Sequence, residues 1–291
     1  MKTVKRALAA CAAFLAGSGP AMAAWSDLNL RVGVTPLSRD IHGLHMLILW
    51  ICVAIAVAVF GVMIYSIATF RKSKGAVPAT FDHSTKAEIV WTVIPVLILV
   101  GMAIPAAKTL VRIDDSSGAD MTIKVTGYQW KWQYEYVGQG VSYYSTLAQA
   151  SNFARELRSG VDPYSVQNYL LDVDHPLVLP QGVKVRVLVT SADVIHSWWV
   201  PDFAIKKDAI PGYINELWIL ADQAGTFRGQ CVELCGRDHG FMPIVVEVKP
   251  RAEFDAWLAE QKAATQAANA PATQVALNHV EPAAVRVAAA E

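Results

Sequence analysis

The sequence predicts a membrane-anchored all-β protein: an N-terminal hairpin of two transmembrane helices followed by an extracytoplasmic β-sandwich or barrel. Three observations lead there. Two long apolar runs near the N-terminus flank a short basic loop. From Met121 onward the hydrophobic period changes from helical to two. The chain is 54% hydrophobic and only 17% charged, an apolar balance for a soluble protein of 291 residues.

Residues 1–23 read as a secretory signal peptide. Lys2, Lys5 and Arg6 form a basic start, Ala7–Ala16 a short apolar core, and Ala21-Met22-Ala23 a small-x-small cleavage site. Leu8-Ala9-Ala10-Cys11 resembles a lipoprotein box only faintly, because the apolar run before Cys11 is too short. Residues 24–112 then form the hairpin. Its first span, roughly residues 42–70, contains no Asp, Glu, Lys or Arg, and as a helix it crosses about 30 Å of hydrocarbon. Arg71, Lys72 and Lys74 follow and hold that end in the cytoplasm. His42 and His45 fall at the outer edge, where headgroup contact is a better reading than ligation. The second span, roughly residues 89–108, contains Pro95 and Pro105, which membrane helices tolerate. Glu88 at its cytoplasmic mouth reads first as an ordinary acid at a helix N-terminus.

Residues 113–262 are therefore placed outside. In Gly127-Tyr-Gln-Trp-Lys-Trp-Gln-Tyr-Glu-Tyr136 the aromatics all carry even numbers, so one strand is expected to present an aromatic face, mostly to a core. Residues 145–170 break that pattern, with a short helix over Leu147–Leu157 ended by Ser159-Gly160 and Pro163. Strand alternation resumes over Asp172–Pro180 and Lys184–Thr190, and another strand closes at Val194-Ile-His196. His175 beside a proline reads as a surface residue. After the turn Asp208-Ala-Ile-Pro-Gly212 come strands at Tyr213–Leu220, Thr226–Gln230 and Pro243–Val248, then an amphipathic helix over Arg251–Lys262. Many short strands with regular turns suggest an antiparallel sandwich or barrel. Residues 263–291 are Ala-rich without periodicity and read as a disordered or processed tail.

Net charge is zero over the whole chain, but it is unevenly placed. Residues 113–262 hold 19 Asp and Glu against 13 Lys and Arg, a net −6. Such a domain repels nucleic acid and attracts a basic protein.

The chemistry concentrates in Cys231-Val-Glu-Leu-Cys235-Gly-Arg-Asp-His239-Gly-Phe-Met242, with His196 upstream. Thiolates and thioethers select soft metals such as copper, which imidazole also suits. Structural zinc sites use Cys, His and carboxylate, so the Met argues for copper. A Cys231–Cys235 disulfide is the bland alternative in an oxidising compartment. It would close a very tight loop, constrain little chain, and leave His196, His239 and Met242 unexplained.

His196 followed by Cys-x-Glu-x-Cys-x3-His-x2-Met resembles the dinuclear copper (CuA) signature of subunit II of haem–copper cytochrome c oxidases. The two-helix hairpin, the Trp-rich strand at 127–136, Asp208-Ala-Ile-Pro-Gly212 and Phe241-Met-Pro-Ile244 match that family in the same order, across roughly residues 35–262. The resemblance implies a cupredoxin-like domain on the periplasmic side of a bacterial inner membrane. It implies two copper ions bridged by Cys231 and Cys235, each with one imidazole, from His196 or His239. Met242 and the Glu233 carbonyl would be axial donors, and the Glu233 carboxylate would help hold Mg or Mn at the boundary with subunit I. Trp130 resembles the residue through which electrons arrive from cytochrome c, Glu88 the mouth of a proton-uptake path, and Asp193 part of the cytochrome c docking face. The implied partners are subunits I and III, cytochrome c and membrane lipid. The implied function is to pass electrons from cytochrome c to haem in subunit I for oxygen reduction coupled to proton pumping.

Other readings fit less well. A quinol-oxidase subunit II shares the anchor and fold but lacks copper, whereas the ligand set here is intact. A tethered copper chaperone or sensor needs an open, exchangeable site and has no evident need for the Trp-rich strand or Glu233. A nitrous-oxide reductase needs a large His-rich domain, and this chain has seven His. No C-x-x-C-H occurs, which excludes a fused c-type haem.

Overall fold

The computed structural model describes residues 29–269. The expected signal peptide and residues 270–291 of the expected tail lie outside the described residues. The described chain divides into two compact units: the helical hairpin up to Asp115 together with Pro201–Ile205, and the remainder from Ser116.

In the first unit, helix α1 spans Pro36–Thr69 and α2 spans Thr85–Asp114. Helix α1 starts before the apolar run that predicts it, and α2 passes its run at both ends. The start of α1 is set by a capping box, in which the Thr35 hydroxyl accepts from the Ser38 N–H and the Ser38 hydroxyl accepts from the Thr35 N–H, each at 3.0 Å, with Pro36 in the first turn. Ser84 caps α2, and Pro95 and Pro105 are accommodated inside it. At 1.5 Å per residue the helices are roughly 50 and 45 Å long, so their ends project past a hydrocarbon layer of about 30 Å. An apolar run marks the hydrocarbon, whereas caps mark the helix. Both helices are long and apolar enough to cross a membrane, and Arg112 near the end of α2 is paired with Asp40 near the start of α1.

The second unit is a two-sheet sandwich. Strands β1 (Met121–Tyr128), β2 (Lys131–Tyr136), β3 (Val141–Ser145), β5 (Val185–Ser191) and β8 (Asn215–Ile219) form one sheet in the order β3-β2-β1-β5-β8. Strands β4 (Leu177–Pro180), β6 (His196–Val200), β7 (Ile205–Ala209), β9 (Gly225–Cys231) and β10 (Pro243–Lys249) form the other, in the order β4-β10-β9-β6-β7. A short helix α3 (Gln149–Ala154) lies in the excursion between β3 and β4. The sheets are mixed rather than purely antiparallel, since β1 runs parallel to β5 and β4 parallel to β10. After β3 the chain crosses to the second sheet for β4 and then returns beside β1, and such a crossover is what a parallel pair requires.

The Trp-rich segment is not one strand. Gln129 and Trp130 form the turn of a hairpin, with Tyr128 opposite Lys131 and Gly127 opposite Trp132. Opposed residues share a face, so inward parity switches from odd numbers in β1 (Ile123, Val125) to even numbers in β2 (Trp132, Tyr134, Tyr136), all fully buried. Tyr128 lies on the outer face with Tyr144 and Lys131. Trp130, expected on the face of Trp132, is instead half-buried at the turn. Simple alternation fails here because a two-residue turn resets the phase.

Val187, Val189 and Ile219 of one sheet and Leu177, Trp198, Ile244 and Val246 of the other are all buried in the core. Helix α4 (Arg251–Asn269) packs on the sandwich through Phe254 and Leu258, while Trp257 lies against Tyr136 at 5.3 Å. It runs past Lys262, so residues 263–269 are helix rather than tail; Ala and Gln in that stretch are good helix formers.

Strand β6 approaches β9 so closely that a Cβ on Gly229 would lie 1.9 Å from the Trp199 carbonyl oxygen. Gly229→Ala is therefore expected to destabilise the domain by about 3 kcal/mol. Gly240→Ala, whose Cβ meets nothing within 4 Å, should stay within about 0.5 kcal/mol. Thermal unfolding of the full chain in detergent compares the two, and equal melting temperatures would refute the close approach.

Candidate metal centre

The pairing of β6 with β9 brings the donors together. His196 is the first residue of β6 and Cys231 the last of β9, and Trp198 lies directly opposite Cys231. The loop from Val232 to Met242 then turns back into β10, carrying Cys235, His239 and Met242 with it. His239 opens a 3-10 turn, His239–Phe241.

The Sγ atoms of Cys231 and Cys235 are 3.9 Å apart and unbonded, so the disulfide alternative is not formed. His196 Nδ1 lies 3.9 Å from Cys231 Sγ, and His239 Nδ1 lies 3.5 Å from Cys235 Sγ. Met242 Sδ is 3.5 Å from Cys235 Sγ, and the Glu233 carbonyl oxygen is 3.5 Å from Cys231 Sγ. His196, Cys231 and Cys235 alone offer three ligand atoms within 4.8 Å of one another. Both thiols, His196 and Met242 are buried, while the Glu233 side chain is exposed. The inward-facing set is thus thiol, imidazole, thioether and carbonyl without a carboxylate, which fits a soft cation such as copper. Burial and the neighbouring Cys231 thiol push the Cys235 thiol up to about 12, so a bound metal must displace its proton.

A second layer of contacts fixes these donors. His196 Nε2 donates to Asp193 Oδ1 at 2.9 Å, which leaves Nδ1 free to face the thiols. Burial raises the Asp193 carboxyl. Hydrogen bonds from His196 and from the N–H groups of Gln129 and Val194 outweigh it, and Asp193 stays below the usual carboxylate range. The His196 ring packs edge-on against Trp132 at 5.9 Å, and a Cβ on Gly127 would lie 2.8 Å from His196 Cδ2. Gly127 is thus the space into which His196 folds. Trp132 Nε1 also donates to the Met242 carbonyl at 3.3 Å.

The hairpin turn ties both halves together. Gln129 N–H donates to Asp193 Oδ2 at 2.7 Å, and its side-chain amide donates to the Cys235 carbonyl at 2.9 Å. Trp130 Nε1 reaches the same carbonyl at 3.3 Å. Glu88 is remote from these contacts in sequence and sits exposed in the first turn of α2. Sequence reasoning missed the supporting roles of Gln129, Gly127 and Trp132. It read Asp193 only as a docking residue, although the Asp-x-x-His spacing hints at its bond to His196.

A mixed-sheet sandwich with a buried Cys/His/Met cluster, in a chain with two membrane-length helices, defines a cupredoxin-like domain that carries a candidate metal site behind a two-helix hairpin. The family model for the cytochrome c oxidase subunit II periplasmic domain matches residues 121–249, and that for its transmembrane domain matches residues 23–109. The chain belongs to the cytochrome c oxidase subunit II family. It is 39% identical over 253 residues to the probable cytochrome c oxidase subunit 2 of Rickettsia bellii (strain RML369-C), covering 87% of this chain and 90% of that one. It is 38% identical over 245 residues to cytochrome c oxidase subunit 2 of Cereibacter sphaeroides, covering 81% of each. The crystal structure of the periplasmic domain of subunit II of cytochrome oxidase (CoxB) from Bradyrhizobium japonicum is 42% identical. It covers 52% of this chain and 99% of that one, with a TM-score of 0.45. Family membership makes this chain one subunit of a cytochrome c oxidase, whose catalytic activity belongs to the assembled complex.

Asp193→Ala removes the acceptor from both His196 and the Gln129 N–H. It is expected to weaken copper binding by about 10- to 100-fold, measured on the full chain by competition with a chelator. Unchanged affinity would mean that packing against Trp132 alone orients His196.

Proposed function

We propose that this chain is the electron-accepting subunit of the oxidase: at a two-copper centre it takes electrons from cytochrome c and passes them to haem in subunit I, where oxygen is reduced and protons are pumped. The observation that carries this reading is the convergence of two unbonded, buried thiols with two imidazole nitrogens and a thioether. In this reading the thiols of Cys231 and Cys235 and the imidazoles of His196 and His239 would hold the copper ions, and Met242 and the Glu233 carbonyl would be further donors. Asp193 holds His196 in the tautomer that presents Nδ1, and Trp132 and Trp198 keep water away. Buried surroundings and fixed hydrogen bonds keep the donors from rearranging, which favours rapid transfer.

Trp130 is the proposed point of electron arrival. Its ring is half-buried, bonds to the carbonyl of a bridging cysteine, and has the Arg237 guanidinium 5.5 Å from its centroid. The net −6 of residues 113–262 would steer a basic cytochrome c towards this domain. Asp193 adds to that field, although its oxygens are committed to His196 and Gln129. The exposed Glu233 carboxylate suits a Mg or Mn ion shared with subunit I. The reading places the chain in a bacterial inner membrane with this domain on the periplasmic side and subunit III also in the assembly. Glu88, at the inner end of α2, would open a proton-uptake path.

Copper content and electron paramagnetic resonance of the purified full chain test the central claim. Two coppers with the hyperfine pattern of two equivalent nuclei are expected, and Cys231→Ser should abolish that pattern together with steady-state oxidase activity. One copper with a single-nucleus pattern would replace the reading by a mononuclear carrier. Glu88→Ala in the assembled oxidase is expected to slow proton-coupled reduction of the catalytic site while leaving the copper spectrum intact. A wild-type rate would leave Glu88 as a helix-end acid only.

A further inference from the structure

The excursion between β3 and β4 supplies no donor to the centre, yet it is a closed and anchored loop. Its arms are joined by a Leu147–Val173 bridge, by Ala148 N–H to the Asp172 carbonyl at 2.9 Å, and by Asp174 accepting from Thr146 N–H and hydroxyl at 2.7 Å each. Ser151 and Ala154 of α3 are buried, and the Ser151 hydroxyl accepts from Leu170 N–H at 3.1 Å. Two side chains reach from this loop to the metal segment. Asp172 pairs with Arg228 of β9 at 3.2 Å, just upstream of Cys231. Arg155, at the end of α3, places Nη1 3.5 Å from Asp238 Oδ1 and its guanidinium 4.2 Å from the Phe241 ring centroid. Its Nε donates to Asn152 at 2.8 Å, which fixes the guanidinium plane.

We propose that Arg155 is a positioning residue for the second half of the metal loop, gripping Asp238 and Phe241 on either side of His239. The turn there is weakly self-supporting: His239 N–H reaches the Gly236 carbonyl at 3.2 Å and Phe241 N–H the Asp238 carbonyl at 2.9 Å, and the Asp238 side chain provides no cap. His196 has Asp193 on its second nitrogen, whereas among the described residues no side chain is bonded to that nitrogen of His239. Within this chain the ring is aimed by the backbone that carries it and by the approach of its Nδ1 to Cys235 Sγ at 3.5 Å. Asp238 also meets Arg237 at 3.6 Å, but that partner is 81% exposed, against 27% for Arg155. A planar guanidinium serves both contacts at once, donating an N–H to the carboxylate and stacking its cation over the ring. The inference rests on the copper reading above.

The test is made in the assembled oxidase with Arg155→Ala, Arg155→Lys and, as a control for charge, Arg158→Ala from the same excursion. Copper retention against a chelator, the paramagnetic spectrum and the reduction potential are read for each. Arg155→Ala is expected to lose copper about 10- to 100-fold more readily, with a changed hyperfine pattern and potential. Arg155→Lys should fall between it and wild type, and Arg158→Ala should match wild type. Wild-type spectrum, potential and retention in Arg155→Ala would overturn the proposal. If that variant does not assemble, Asp238→Asn decides: a shifted spectrum supports the clamp, and an unshifted one overturns it. Wild-type protein lacking copper would instead refute the copper reading itself, so the two failures are distinguishable.

Discussion

The centre depends on one short stretch of backbone pairing, where β6 meets β9 and Trp198 lies opposite Cys231. That register brings an imidazole from the start of one strand against a thiol from the end of the other. A slip of one residue would turn every side chain of the strand to the opposite face, sending Trp198 out of the core and Cys231 away from His196. Two glycines permit the approach. Gly229 lets the Trp199 carbonyl come within a distance that no Cβ allows, and Gly127 leaves the space that His196 fills. The site is therefore specified first by what is missing from the strands.

Over that pairing the β1–β2 turn acts as a bridge. Through Gln129 it holds Asp193, and so His196, on one side, and through both Gln129 and Trp130 it holds the Cys235 carbonyl on the other. The same turn moves Trp130 out of the aromatic core. In the proposed function, one local event, a two-residue turn in place of a continuous strand, gives the centre its brace and its contact with the surface.

The two halves of the donor set are held by different physics. His196 is fully buried, packed against Trp132 and polarised by a carboxylate, so its orientation is fixed by contacts on the ring itself. His239 is half-buried on a single 3-10 turn, and its direction follows the backbone. Short 3-10 segments have poorer hydrogen-bond geometry than α-helices and seldom persist alone. An outside support such as Arg155 has its largest effect on the less supported half.

The same contrast explains what could be read from the sequence. The candidate donors were legible because Cys231, Cys235, His239 and Met242 share one loop, and their types and spacing point to the proposed chemistry. The hairpin was legible because hydrocarbon demands long uncharged runs, although Thr35 and Ser84, not hydropathy, set where the helices begin. The supports were hidden because they act across the fold. Gln129 and Trp130 reach Cys235 over 106 and 105 residues, Trp132 reaches Met242 over 110, and Arg155 reaches Asp238 over 83. Parity of the aromatics misled for a related reason, since only the β1–β2 register shows that the phase resets after Tyr128. A ligand must be a particular residue type at a particular spacing. Its support need only place a donor or a ring at the right point in space, and many residue types on many segments can do that. Sequence pattern therefore points to the candidate donors, and folded geometry is needed to find what holds them.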